Sequence, residues 1–384
     1  LNKTGNNNKF VYIQINQKNM ALQCGITGIA NVGKTTIFNC ISNTKGETNS
    51  FAFSATRSNI GIVQVPDQRL YEIAKYHDAE RIVHTTIEIV DVPGLVRGSS
   101  KGEGVGNRFL GDIRNTDALI HVLRCFDSDT LPHIDGSVDP VRDLETIDFE
   151  LQLKDLESIE KKIEWFARAL RAGDKDAKHG CEILYRYRDH ISNYNNARTL
   201  DVNADDRKYV DDLFLLTMKP VMFVCNVDEL SAVTGNQYVE RVREFLYGQD
   251  TEIVIIAGAI EAEIAELDNK EDRMAFLKDA GLNEPGVDRL VRAAYKMLNL
   301  QTFFTMNPKE IRAWTIRQGM TAHQASGVIH SDFEKGFIKA EVMKYVDFIL
   351  HGSEHACKEA GKFHVEGRNY VVEDGDILHI RFNI

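Results

Sequence analysis

The stretch GIANVGKTT, Gly28 to Thr36, constrains this chain more than any other nine residues. Gly28, Gly33, Lys34 and Thr35 satisfy the spacing G-x-x-x-x-G-K-[ST]. An apolar run, ALQCGIT, precedes it, and a helical pattern, TIFNCISN, follows. A glycine loop between strand and helix turns backbone N–H groups inward, and the helix N-terminus adds donors and the positive end of its dipole. Such a loop cradles phosphate oxygens, which makes Asn31, Val32, Gly33, Lys34, Thr35 and Thr36 candidate nucleotide-binding residues. Lys34 supplies charge at the β- and γ-phosphates and is a candidate catalytic residue, while Thr35 offers a hydroxyl to Mg²⁺.

The second half of such a site is a carboxylate at the end of a neighbouring strand. TTIEIVDVPG provides it: Asp91 closes an apolar run and can hold a Mg²⁺-bound water, and Gly94 completes D-x-x-G, with its N–H available to the γ-phosphate. Gly98, Gly102, Gly104 and Gly106 follow within nine residues, a density that predicts a mobile loop suited to sensing the γ-phosphate. A third element is Asn226-Val227-Asp228-Glu229, after the apolar run PVMFVC, where a GTPase carries N-K-x-D. In N-K-x-D the Asp accepts from two guanine donors. Here Glu229 replaces that Asp and Val227 replaces the Lys. Adenine presents a lone pair at N1, so a carboxylate fixed for guanine would face it unpaired, at a cost of about 1–3 kcal/mol. Losing that fit weakens GTP preference and admits ATP, with Asn226 holding the base edge and nearby loops and Val227 packing on the base face.

Around these motifs the chain reads as α/β. ALQCGIT, GIVQVP, TTIEIVDVP, ALIHVLRCF, PVMFVCN and EIVIIAG are six predicted strands alternating with helices, which implies a mainly parallel sheet. Between the fourth and fifth, Phe149, Leu153, Leu156, Ile159, Ile163, Phe166 and Leu170 recur in steps of three and four. After AGDKDA a second stripe runs through Leu184, Tyr187 and Ile191, so a helical hairpin is inserted at 145–205. Residues 161–188 hold eight Lys/Arg against four Asp/Glu, a basic tip suited to RNA on a chain whose net charge is −11. From residue 301 to 384, RAWTI, FIKAEVM, NYVVEDGD and ILHIRFNI predict a small mixed sheet with a turn at EDGD. Residues 1–19 are Asn-rich and read as a disordered or non-native leader, with Met20 a plausible start. No apolar run approaches the roughly 20 residues that span a bilayer. The six scattered cysteines read as buried thiols of a reducing cytoplasm.

GIANVGKTT, DVPGLVRGSSKGEGVGNRFLGDIRNTDALIHVLRCF, NVDE, FTMNPKEIRAWTIRQGMTAHQASGVIHSDFEKGFIKAEV and VVEDGDILHIRFNI together resemble the YchF/Obg-like ATPase family, from Met20 to Ile384. The resemblance implies a P-loop NTPase G domain at 20–300, an inserted α-helical coiled-coil hairpin, and a C-terminal TGS domain of β-grasp fold at 301–384. It implies Mg²⁺-dependent hydrolysis of ATP to ADP and phosphate, slow because Leu95 cannot orient water. It also implies binding to the ribosome, at the large subunit, as a nucleotide-dependent switch in translation or stress response. A GTP-hydrolysing ribosome-assembly factor and a nucleotide-regulated ribosome- or RNA-binding scaffold are the alternatives. Leu95 stands where Ras-type enzymes carry a water-orienting Gln. The family has a His where His133 stands, so His133 is the second candidate catalytic residue, whereas His121, inside a strand, reads as structural. Phe53 and Asn59 fix the register of the first switch segment and put Ala55 on the family's Mg²⁺-binding Thr; either Thr56 or water takes that place. Ala30 replaces the usual loop Pro.

Overall fold

The computed structural model describes residues 22–42, 59–92 and 105–383, apart from 172, 174 and 268. The leader, the first-switch positions Phe53, Ala55 and Thr56, and Gly94, Leu95, Gly98, Gly102 and Gly104 lie outside the described residues. The chain divides into two compact units: one comprises Asp148–Lys219, the other Leu22–Ile147 with Pro220–Ile384.

The larger unit opens with β1 (Gln23–Thr27), α1 (Lys34–Ser42), β2 (Asn59–Gln64), α2 (Gln68–Ile73), β3 (Arg81–Val83), β4 (Thr86–Asp91), α3 (Val105–Asn115) and β5 (Ala118–Cys125). Helix α4 (Pro140–Arg171) begins in it; α5 (Lys175–Ser192) and the short α6 (Ala204–Arg207) belong to the smaller unit. The larger unit resumes with β6 (Val221–Val227), α7 (Gln237–Phe245), β7 (Ile253–Ile256), α8 (Gly258–Glu266), α9 (Lys270–Asp279) and α10 (Gly286–Met297). All six predicted strands of the first sheet are present, in the order β2-β4-β1-β5-β6-β7. Only β2 runs antiparallel, against β4. Strand β5 is buried along its whole length, as a central strand covered on both faces should be. His121 lies in it, 2% exposed, with its ring 5.5 Å from that of Phe223, as a structural histidine would. All six cysteines are buried thiols. Gly106 lies inside α3, so the predicted mobile loop does not extend to it: the backbone is helical from Val105.

The second sheet is built from β8 (Leu300–Met306), β9 (Glu310–Arg317), β10 (Phe337–Lys344), β11 (Phe363–Glu366) and β12 (Asp376–Phe382). A β8–β9 hairpin, a helix at Ala322–Ile329, and β12 running parallel to β8 give the β-grasp pattern. Two details correct the sequence reading. NYVVEDGD is not a strand, because Val371 makes only an isolated bridge to Thr321, and the segment ends in a turn at Gly375 (φ +89°). Nor is this sheet built from residues 301–384 alone: β3 pairs in parallel with β9, and Leu70 and Ile73 of α2 share a core with Phe304, Met306 and Phe348. Three residues of strand carry too weak a periodicity to be seen in sequence.

In the smaller unit the predicted stripe is buried at Ile159, Phe166, Leu184, Tyr187 and Ile191, while Phe149 and Leu170 at its ends are exposed. The unit reaches Lys219 rather than closing at residue 205. Its return segment is fastened by Asp155, fully buried, whose carboxylate accepts from Leu216 N–H (2.7 Å), Thr217 N–H (2.8 Å) and the Thr217 hydroxyl (2.6 Å). That segment also alters the charge of the tip. Asp212 pairs with Lys162 and Asp206 with His179, and the whole unit holds thirteen Lys/Arg against fifteen Asp/Glu. Among the described residues no helix is long and apolar enough to cross a membrane.

Candidate nucleotide site

Strand β1 ends at the buried Thr27, and the chain then turns through Gly28 to Gly33 into α1. Gly28 (φ +155°) brings the loop so close to β5 that a Cβ would sit 2.6 Å from the Val122 carbonyl oxygen. Gly33 (φ +95°) is equally confined, since a Cβ there would meet Asn226 Nδ2 at 2.2 Å. Both positions require glycine on conformation and on space. Between them Val32 is fully buried and pins the loop from below, so only its backbone is available to a ligand. Asn31 is exposed with positive φ (63°), and its amide donates to the Pro132 carbonyl at 3.3 Å. Helix α1 starts with Ile37 N–H donating to the Gly33 carbonyl (3.0 Å), which leaves the first-turn N–H groups facing the loop. Thr35 and Thr36 are exposed there.

Lys34 is 8% exposed, and its ammonium donates to the Ile29 carbonyl at 2.6 Å. Burial pushes its pKa down to about 8, against the pull of Asp91. Asp91 is the last residue of β4, paired in register with Ile26 just before the loop. Burial raises its carboxyl, and Lys34 opposes that shift. Each group therefore lowers the cost of the other's charge. The Thr35 hydroxyl and the Asp91 carboxylate are hard oxygen donors of the kind Mg²⁺ takes.

The base side is organised by Asn226, 5% exposed at the end of β6. Its Nδ2 donates to the Val32 carbonyl (2.9 Å), and its Oδ1 accepts from Gly258 N–H (3.0 Å) at the start of α8. One side chain thus ties the phosphate loop to the turn after β7. Gly258 is a site residue that the sequence reading missed; the available signal was a second apolar run, EIVIIAG, ending in glycine beside the first. Val227 does not face a ligand. It is 3% exposed in a core cluster with Leu123, Cys125, Ala232 and Val239, so the predicted packing on a base is corrected. The alternation along β6 that turns Asn226 toward the loop turns Val227 to the opposite face. Glu229 is exposed on a short 3₁₀ turn after β6, whose start Asp228 caps by accepting from Ser231 N–H (3.0 Å).

His133 is brought near the loop in sequence, since its neighbour Pro132 touches Asn31, but its ring is turned into its own loop. Asp135 N–H donates to Nδ1 (3.1 Å), so the proton lies on Nε2, which donates to Asp143 (2.9 Å) in the first turn of α4. His133, Asp135 and Asp143 could in principle ligate a metal, but Arg142 already pairs with both carboxylates, at 3.6 and 3.4 Å.

A largely parallel sheet, a glycine loop opening a helix and a carboxylate on the adjacent strand define a P-loop nucleotide-binding domain of the GTPase class. Residues 23–163 match the family described as 50S ribosome-binding GTPase, and residues 300–383 match YchF-GTPase_C, described as a protein of unknown function (DUF933). The chain is 46% identical over 365 residues to the Ribosome-binding ATPase YchF of Haemophilus ducreyi, covering 95% of this chain and all of the relative. The Bacillus subtilis protein of the same name is 43% identical over 367 residues, with the same coverage. The solved structure of the Schizosaccharomyces pombe YchF GTPase superposes with a TM-score of 0.85 at 31% identity, over 96% of this chain and all of that one. The chain belongs to the YchF family.

Proposed function

We propose that this chain binds Mg²⁺·ATP and hydrolyses it slowly to ADP and phosphate, and that it binds the ribosome, at the large subunit, through surfaces whose state follows the nucleotide. The observation that carries the reading is the lock made by Asn226. It holds the phosphate loop and the turn at Gly258 together, while neither of its box neighbours presents the guanine-selective pair of a Lys stem and a short carboxylate.

In this reading the amides of Asn31 to Thr36 cradle the phosphates and Lys34 neutralises the β- and γ-oxygens. Thr35 and Asp91 would hold Mg²⁺, which when bound would supply charge stabilisation for the transferring phosphoryl group, and the Gly94 N–H of D-x-x-G is assigned to the γ-phosphate from the sequence motif. Asn226 and Glu229 border the base. His133 orients the attacking water once its ring leaves Asp143, and the tied-up ring of the free protein agrees with a low basal rate.

One observation favours a second reading, with GTP as substrate: the Glu229 carboxylate is exposed and free to meet guanine donors, and the S. pombe relative is called a GTPase. Affinities for ATP and GTP measured side by side on the purified chain decide between them. A GTP preference of about tenfold or more, roughly 1.4 kcal/mol, overturns the ATP reading. The bacterial relatives' names carry the ribosome part of the proposal. Co-sedimentation with ribosomes, with and without ATP and with Lys34→Ala as control, tests it; binding that ignores both removes the switch.

A further inference from the structure

Among the described residues the first sheet ends at β7, whose outer side has no strand beside it. Phe223 N–H donates to the Glu252 carbonyl on the inner side (2.9 Å). By alternation, the backbone groups of Ile253 and Ile255 turn outward. Arg289 confirms this direction, donating from Nη2 to the Ile255 carbonyl at 2.9 Å. Along this edge runs an open cavity of about 450 Å³, walled by α7 and α10 and floored by residues 252–255. Four cations line it, Arg243, Arg289, Arg292 and Lys296, against one carboxylate, Glu252. That excess stands on a chain whose net charge is −11.

We propose that this groove receives an acidic segment of a partner protein in extended conformation, which adds as a seventh strand beside β7. The edge offers the N–H and carbonyl of Ile253 and the N–H of Ile255, the Ile255 carbonyl being held by Arg289, and the cations select the side chains. The present partners of the cations are replaceable. Arg243 pairs with Glu240, Arg292 with Glu284 (2.5 Å) and Lys296 with Glu252 (3.9 Å), all between exposed groups, where such pairs contribute little. Arg289 retains a buried Nε with no hydrogen-bond partner, a donor left over after its bond to Ile255.

Other occupants fit less well. A second copy of this chain paired edge to edge would set the same four cations against each other. The chain's own longer segments outside the described residues, 1–21, 43–58 and 93–104, hold two acidic residues between them, Glu47 and Glu103. RNA phosphates satisfy cations and N–H groups but cannot donate to the Ile253 carbonyl, whereas a peptide strand does both. A guard against edge pairing would repel every strand; a ring of cations repels all but acidic ones.

The test uses the full chain and a labelled, end-blocked peptide of about eight residues alternating Glu and Val. Fluorescence anisotropy should show saturable binding, and amide exchange should show new protection at Ile253 and Ile255. Arg292→Glu with Lys296→Glu should weaken binding at least tenfold, with nucleotide hydrolysis and melting temperature unchanged; the paired alanine variants serve if the reversals do not fold. The proposal is overturned if the same peptide N-methylated on its backbone binds equally well, or if those amides gain no protection. It is equally overturned if oligouridylate of equal charge binds in place of the peptide, or if nothing binds at millimolar concentration.

Discussion

The phosphate side and the base side of the site obey different rules, although both begin at strand ends of one sheet, β1 and β6, with β5 between them. On the phosphate side, the shape of the site belongs to the backbone. Gly28 and Gly33 are required by conformation and close approach, Val32 anchors the loop, and the amides are the proposed phosphate ligands. On the base side, function belongs to side chains whose direction depends on the fold. Asn226 is drawn into a bridge between two loops, Val227 is drawn into the core, and Glu229 is left in water. Backbone sites declare themselves by spacing; side-chain sites declare themselves only once burial is known.

The largest effect separates the two sides at Lys34. Lys34→Met should weaken triphosphate binding by at least about 100-fold, or 2.7 kcal/mol, for both ATP and GTP, as titration calorimetry would show. The same change should leave the free protein more stable by roughly 1–3 kcal/mol near pH 7, because burial disfavours the ammonium. The sign follows from the lowered pKa, about 8 in the fold against 10.5 when exposed. Below pH 8 both states hold the proton and the fold carries the whole burial cost; above it, the fold releases the proton first and the cost fades. For the same reason triphosphate affinity should fall about tenfold between pH 7 and pH 9, with proton uptake on binding. A pH-independent affinity would mean that the Lys34 charge is not what the phosphates require.

A smaller, opposite experiment is Val227→Lys, which restores the GTPase residue. Since Val227 lies in the core, the variant should lose about 3 kcal/mol of stability and keep its nucleotide preference. A variant that melts like the parent and prefers GTP would show that the position faces the base after all.

The same contrast explains what was legible in the sequence. The six strands of the first sheet, the P-loop and Asp91 were readable because long apolar runs and fixed glycine spacing leave few alternatives. The helical hairpin was readable from its stripe. Strand β3, three residues crossing to β9, was not, and neither was the return segment held by Asp155, because both depend on contacts made across more than sixty positions of chain. The basic tip illustrates the same gap: a window of sequence counts charges in order, but the fold sets Asp206 and Asp212 beside His179 and Lys162. The position of His133 was legible; its engagement with Asp143, ten residues on, was not.

Glu229→Asp should give the smallest shift and the sharpest reading of the base side. The carboxylate is exposed in the free protein, so shortening it by one methylene disturbs no core contact and should leave the melting temperature unchanged. It does restore the residue type that accepts from both guanine donors. If selectivity depended on that carboxylate alone, GTP would gain the full discrimination of a paired purine edge, about 1–3 kcal/mol. But the backbone that would aim it is a 3₁₀ turn capped by Asp228, and the Lys stem that flanks guanine is replaced by a buried valine. A carboxylate of the right length on the wrong turn competes with water for the base and gains little. The ATP-to-GTP affinity ratio should therefore move toward GTP by about threefold, near 0.7 kcal/mol, in competition measurements. A shift of a hundredfold would place base selection in that single side chain and remove the turn and Asn226 from the account.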